Sequence, residues 1–379
     1  MVPIITTLPL QHLASGDRLS LQVYQFSGTR PGKKAYLQAN LHGSEIVGNA
    51  VLHQLIEFFS TLEATQLMGE IWLVPVCNPF STNQRTHFFA TGRYNPYDGK
   101  DWNRIFWDYE KECEDLEAFA QSQIELDLTE IQTNYRQRIL VNFQNQFNKM
   151  QSPSGTPLSD RYRYCLQSLC LDADYVIDIH SSSNQSIDYL YCFHGREESA
   201  KAFLLDWGIL LNEYDGDAFD EAFLKPWLAL EKQLANLGRT VRFDLESWTL
   251  ELGSGMQMNP ASVEKGVRGI KNYLVRKGLL TIADFPLAEV TGQPMLLAPK
   301  SQMKKYYAPQ GGMIQNRVSP GTTVKAGERL YQLLSFNKEK QLPTLVEVQA
   351  EASGLVFDVS TNYGVNQSEY VLSMVRLPG

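Results

Sequence analysis

The apolar run Ala35 to Leu41 reads as a β-strand, the segment from Ile46 reads as a helix, and the turn joining them is Asn40-Leu41-His42-Gly43-Ser44-Glu45. An apolar strand that passes directly into a helix belongs to an α/β layer architecture, where turns of this kind open at the carboxyl ends of the strands. This turn carries an imidazole and a carboxylate. Set three positions apart on a first helical turn, His42 and Glu45 can point the same way, and a divalent cation such as zinc takes this mixture of ligands. The run points to a metal enzyme.

Strand and helix alternate from Leu19 to about Ser186. Strands are expected at Leu21 to Phe26, Ala35 to Leu41, Glu70 to Val76 and Tyr175 to Ile179, with a helix from Ile46 to Phe59. The expected fold is therefore α/β, a mostly parallel mixed sheet flanked by helices. His42, Asn78 and His180 all fall just past strand ends. Between Trp107 and Ser168 the chain becomes rich in Glu, Asp, Gln and Asn, with helical spacing in Ile131 to Phe147 and a Ser-Pro-Ser-Gly-Thr-Pro loop at Ser152 to Pro157. It reads as a helical insertion, about residues 108–168, near the site mouth, or as a solvated helix pair.

After Phe285 the runs shorten. Met313 to Gln315, Thr322 to Val324, Arg329 to Leu334, Val346 to Val348, Leu355 to Val359 and Val371 to Val375 are strand-like and punctuated by glycines. Such spacing suggests a small β-sandwich or barrel. With 379 residues, 43% of them hydrophobic, the chain has material for a large and a smaller core, so the expected division is 1–286 and 287–379, with the boundary near Leu287.

The formal net charge of -8 and pI near 5.4 argue against nucleic acid as a partner, because phosphate-backbone binding needs a basic surface. Cys77, Cys113, Cys165, Cys170 and Cys192 form no close pairs and read as reduced core residues, which places the protein in the cytoplasm. The N-terminus lacks an export signal, and no stretch reaches the roughly 18 apolar residues a spanning helix needs, so no membrane partner is expected. A homo-oligomer is compatible with the sequence.

A catalytic zinc site commonly has three protein ligands and one open position. His180, ending the strand Tyr175-Val176-Ile177-Asp178-Ile179 before Ser181-Ser182-Ser183, is the best third donor beside His42 and Glu45. His12 and His53 read as structural, whereas His87 and His194 are candidates for the pocket lining. In Asp101-Trp102-Asn103-Arg104, Asp101 can accept from the distal nitrogen of a metal-bound histidine, and Asn103 and Arg104 can grip a substrate acid group. A surface salt-bridge cluster is the other reading of this run. Glu251, a carboxylate in the apolar run Trp248 to Gly253, suits a general base whose pKa is raised by desolvation, with Glu246 as the competing carboxylate.

These motifs resemble those of the succinylglutamate desuccinylase and aspartoacylase family, within the zinc carboxypeptidase-like fold. His42-Gly43-Ser44-Glu45 is similar to its His-Gly-x-Glu turn, Asn78-Pro79 to its Asn-Pro, Asp101-Trp102-Asn103-Arg104 to its Asp-Leu-Asn-Arg, Asp178-Ile179-His180 to its Asp-x-His, and Glu251-Leu252-Gly253 to its Glu-x-Gly. The order agrees over Ala35 to Gly253. The resemblance implies one zinc ion per chain on His42, Glu45 and His180, Glu251 as acid/base, Asn103 and Arg104 on the substrate carboxylate, and Asp101 behind a ligand. It also implies an arginine after the Asn-Pro to face the oxyanion: Arg85 is preferred, with Arg93 open. Trp102 in place of leucine and the longer Arg104 to His180 segment are expected to alter the pocket rim. The C-terminal part, above all Gly312 to Leu334, resembles a lipoyl or biotinyl carrier barrel.

The expected activity is zinc-dependent hydrolysis of an amide bond in an N-acyl amino acid or a similar small carboxylate-bearing amide, with zinc lowering the pKa of its water to about 7. The nearest alternative is a metallocarboxypeptidase acting on short peptides; deacylation is preferred because the inserted helices could cap the pocket. A carrier module is disfavoured, since the Ala352-Ser353-Gly354 turn offers no lysine. A non-catalytic metal-binding protein is the remaining alternative.

Overall fold

The computed structural model describes residues 1–87, 90–149, 156–211, 217–287, 295–336 and 340–376. In chain order the first strands are β1 (Ile4–His12), β2 (Arg18–Ser27), β3 (Arg30–Ala39), β4 (Met68–Val74), β5 (Tyr175–Ser182), β6 (Gln185–Ser186), β7 (Tyr189–Phe193), β8 (Trp207–Leu211), β9 (Glu246–Ser254) and β10 (Leu296–Pro299). All but β6 join one mixed sheet of nine strands, ordered β1-β2-β4-β3-β5-β9-β7-β8-β10. Its centre, β4-β3-β5-β9, is parallel, and β1, β2 and β7 introduce the antiparallel pairings. The expected strands begin at Leu21; the structure adds β1, an edge strand with exposed Ile4 and Ile5, whose apolar residues give it no buried-strand signature.

Successive residues of a strand face opposite sides of a sheet, and here both sides are covered. Tyr36 and Val176 face a core with Tyr135, Tyr162, Phe223 and Trp227. Leu37 and Ile177 face another with Val51, Leu55, Ile270 and Leu274. The first layer comes from helices Leu128–Lys149, Leu158–Gln167 and Phe219–Asn236, the second from Val47–Thr61 and Pro260–Arg276. The parallel order brings the carboxyl ends of β3, β5 and β9 to one edge, with His180 directly across from Glu251.

Two expectations about the inserted segment change. Its helices pack behind the sheet rather than over the site, and among the described residues none from 105 to 179 lines the cavity. Trp102 is only 1% exposed and turns into that layer, stacked on Phe80 at 5.9 Å and edge-on to Tyr162 at 5.2 Å. Trp102 and the helix Leu158–Gln167, which carries Tyr162, pack as two halves of one arrangement. Of the loop expected at 152–157, all but Thr156 and Pro157 lies outside the described residues.

The C-terminal strands are β11 (Met303–Tyr307), β12 (Gly312–Gln315), β13 (Thr323–Val324), β14 (Arg329–Ser335), β15 (Thr344–Gln349), β16 (Gly354–Val359), β17 (Gly364–Val365) and β18 (Tyr370–Arg376). They form two sheets, β11-β18-β16-β13 and β15-β14-β12-β17, which share a core including Ile314, Leu330, Leu333, Val356 and Leu372. Two exchanges tie this sandwich to the large sheet: β6 pairs with β16, and β10 pairs with β8.

Candidate metal centre

The strand-to-helix turn after β3 is shaped from both sides. Asn40 takes a left-handed backbone (φ 69°), a conformation asparagine tolerates, and its side-chain amide donates to the carbonyls of His42 and Gly43 at 3.1 and 3.2 Å. Asn78 caps the short helix Pro79–Thr82 by accepting from Ser81 N, and its amide donates to Leu41 O at 2.9 Å. That helix presses on the turn so closely that a Cβ at Gly43 would lie 2.2 Å from Ser81 O. Only glycine fits, and the turn is fixed.

His42, Glu45 and His180 converge at this edge, all but fully buried, with a ligand atom from each lying within 4.8 Å of the others. Both Nδ1 atoms face the Glu45 carboxylate, His42 at 2.9 Å and His180 at 2.8 Å. Each Nε2 is held from behind by an acid, His42 by Asp101 at 2.9 Å and His180 by Asp178 at 2.9 Å. An acceptor at Nε2 fixes the proton there and aims the Nδ1 lone pair inward, which is how metal-binding imidazoles are oriented.

The charge balance also fits a cation. Burial disfavours charge on His42, yet Glu45 and Asp101 outweigh it and raise the imidazole's pKa; Asp178 and Glu45 do the same for His180. Burial likewise opposes ionisation of Asp101, but the hydrogen bond and charge of His42, with Arg93 behind, hold it down to about 2. An acid-rich cluster that drives its own imidazoles toward the charged form is one short of positive charge. The donor set therefore fits a divalent ion on His42, Glu45 and His180.

Glu251 and Asn103 line the same cavity, about 860 Å³. Desolvation pushes the Glu251 carboxyl up to about 7, against the opposing pull of His180. One of its oxygens has no hydrogen-bond partner among the described residues. Asn103 accepts from Phe219 N at 2.8 Å through Oδ1, which leaves its NH2 available. Arg104 stands exposed at the rim, one Nη on Asn103 O at 2.6 Å.

The arginine preference changes. Arg85 lies exposed, its guanidinium on the carbonyls of Thr82 and Gln84, and is not part of the cavity wall. Arg93 is: its Nε sits 2.9 Å from Asp101, and one Nη donates to Ser183 Oγ at 3.1 Å, 3.9 Å from Glu45. The loop doubles back because Ser81 Oγ bonds Gly92 O, where a Cβ would meet Ser81 O at 2.4 Å and φ is +62°. Neither His87 nor His194 reaches the cavity. Glu246 is buried at the far end of β9 under Tyr273, Ser199, Arg242 and Lys277, away from the chemistry.

The sequence reading also misses half of the wall. Lys305, Tyr307, Asp358 and Tyr370 of the C-terminal sandwich, with Tyr189 and Tyr191 of β7, also line the cavity. No local motif marks the sandwich residues. The alternation of Tyr189 and Tyr191 along a strand is the one signal available for β7.

Residues 31–152 match the family model for the succinylglutamate desuccinylase/aspartoacylase catalytic domain. The chain is 24% identical over 339 residues to the N-alpha-acetyl-L-2,4-diaminobutyric acid deacetylase of Halomonas elongata, covering 88% of this chain and 80% of that one. It superimposes with a TM-score of 0.88 and 25% identity on the crystal structure of a Shewanella frigidimarina NCIMB 400 protein provisionally assigned as a succinylglutamate desuccinylase/aspartoacylase, over 99% of this chain and 97% of that one. A Shewanella amazonensis SB2B protein provisionally assigned to that family gives 0.85 and 28% over 98% of each chain.

Proposed function

We propose that this chain, whose residues 31–152 match the succinylglutamate desuccinylase/aspartoacylase catalytic-domain model, is a member of that family and a zinc-dependent hydrolase of the amide bond in an N-acyl amino acid or a similar small carboxylate-bearing amide. The observation that carries this reading is the convergence of three buried donors, both imidazoles backed by carboxylates, beside a glutamate pushed up to about 7. Two nitrogens and a carboxylate oxygen suit zinc, one ion per chain. When bound, zinc supplies Lewis acidity and acidifies water at its open position.

The chain's own residues supply the rest. Glu251 takes a proton from the attacking water and returns it to the leaving nitrogen. The Arg93 guanidinium faces the charge that develops on the carbonyl oxygen, and Asn103 with Arg104 holds the substrate carboxylate. Arg93→Ala is expected to lower kcat by roughly 10²- to 10³-fold, the typical cost of one oxyanion donor, while Arg85→Ala leaves it at the parent rate. Steady-state kinetics of both variants checks this; the reverse pattern would restore Arg85.

Deacylation is favoured over carboxypeptidase action by the sandwich residues in the cavity wall, which narrow the space in the way expected of the segment 108–168. A panel of acyl-amino acids and dipeptides, assayed before and after chelation, tests it. Turnover of acyl-amino acids that disappears with the metal and returns with zinc is the expected result. Amino-acid release from peptides alone would install the carboxypeptidase reading.

We retain the division into a hydrolase unit, 1–286, and a β-domain, 287–379, with β6 and β10 as exchanged strands. The β-domain's form is read as carrier-like, with no lysine on its Ala352-Ser353-Gly354 turn to take a prosthetic group. A cytoplasmic setting is supported by five unpaired thiols. Among the described residues no helix is long and apolar enough to cross a membrane.

A further inference from the structure

Strand β16 breaks the alternation of a regular strand. Val356 and Val359 point into the core of the β-domain, while Phe357 and Asp358 both turn the other way, across a register shift against β18 between Val356 and Asp358. A bulge is how a strand aims two consecutive side chains at one neighbour. Phe357 packs edge-on against Tyr189 at 5.7 Å, in a small apolar cluster with Ile209 and Ala298 of the large sheet. Asp358, 7% exposed, reaches the loop that leaves His180.

The contacts there are specific. Asp358 Oδ2 accepts from Ser182 Oγ at 2.5 Å, and Oδ1 accepts from Asn184 Nδ2 at 3.1 Å and from the Tyr370 hydroxyl. Backbone bonds add to the clamp: Asp358 pairs with Ser186, and Ile187 N donates to Phe357 O at 3.1 Å. Between the clamped residues lies Ser183. Its hydroxyl donates to Glu45 Oε1 at 3.3 Å and accepts from Arg93 at 3.1 Å. One serine thus touches both a metal ligand and the arginine of the cavity wall.

Resting on the function proposed above, we infer that Asp358 is a positioning residue of the hydrolytic site: by holding Ser182 and Asn184 it sets Ser183 against Glu45 and Arg93, so a docked β-domain is a condition for retaining the metal and for turnover. A buried carboxylate costs stability unless its lone pairs are satisfied, and this one is satisfied mainly by the loop it controls. Of the other β-domain anchors, Thr361 donates to Ser183 O and to Asn184 Oδ1, both at 3.4 Å, and so adds to the clamp, whereas the Phe357 cluster holds the two units together without touching Ser183.

The test uses the full-length, zinc-loaded protein and follows zinc release to a chromogenic chelator, with kcat, KM and Tm measured alongside. Asp358→Ala is expected to release zinc roughly 10- to 100-fold faster, the range typical for loss of an outer supporting contact, and to lower kcat more than it raises KM. Asp358→Asn keeps the volume and can bond the same partners, so it should stay within about threefold of the parent. Leu330→Val, in the β-domain core, should lower Tm while leaving zinc release unchanged. Should Asp358→Ala not fold, Ser183→Ala replaces it, with faster release and lower kcat expected.

Parent-like release from Asp358→Ala, or from Ser183→Ala where that replaces it, overturns the inference; so does equally fast release from Leu330→Val. Parent protein that takes up no divalent ion defeats the proposed function and this inference together. Parent protein that binds zinc while Asp358→Ala binds and releases it identically defeats this inference alone.

Discussion

Glu251→Gln should keep its metal and its fold and lose nearly all turnover, a drop of roughly 10²- to 10⁴-fold in kcat, the usual contribution of a positioned acid/base. The amide matches the carboxylate in size and stays polar, so the cavity wall is unchanged; what disappears is the capacity to hold a proton. The parent's pH profile carries the same information. Burial pushes this carboxyl up to about 7, and a base works only when ionised, so kcat/KM should fall as pH falls through that pKa. A cation bound nearby favours the ionised form, so the midpoint should lie below 7 in the loaded enzyme. The limb should be absent from the residual activity of the glutamine variant. A variant as fast as the parent would remove Glu251 from the mechanism.

His180→Ala should lose metal and turnover together. The imidazole is one of three converging donors, and its removal also leaves Asp178 buried without its partner. Metal affinity should therefore fall by more than the roughly 10- to 100-fold that follows loss of an outer partner alone. A ligand bound only by the folded state stabilises it, by about 2.7 kcal/mol at a hundred times its Kd. Chelation should accordingly lower the Tm of the parent and leave that of the alanine variant in place. Stoichiometric metal in His180→Ala, with normal turnover, would take this residue out of the centre.

The parts of the site legible in the sequence are those written into local turns. His42 and Glu45 sit on a turn whose asparagine and glycine answer steric demands, and His180 lies near the end of a strand that is buried from Tyr175 to Ser181. The parts that were not legible depend on where distant segments meet. Counting residues from Asn78 favours Arg85; the fold favours Arg93, because a tight contact at Gly92 returns the loop to the metal edge. Trp102 looks like a rim residue beside its polar neighbours, and it turns inward to pack on Phe80 and on Tyr162 of the helix Leu158–Gln167, contacts between segments distant in sequence. Asp358 meets Ser182 across 176 residues of chain, and no periodicity within β16 announces the bulge that aims it there.

The central claim is that His42, Glu45 and His180 share one metal ion, and anomalous scattering from crystals of active protein tests it most directly. Data collected on either side of the zinc edge should give one strong peak per chain, within bonding distance of Nδ1 of both histidines and of the Glu45 carboxylate. Active crystals with no peak there, or with the ion held by other residues, would contradict the account.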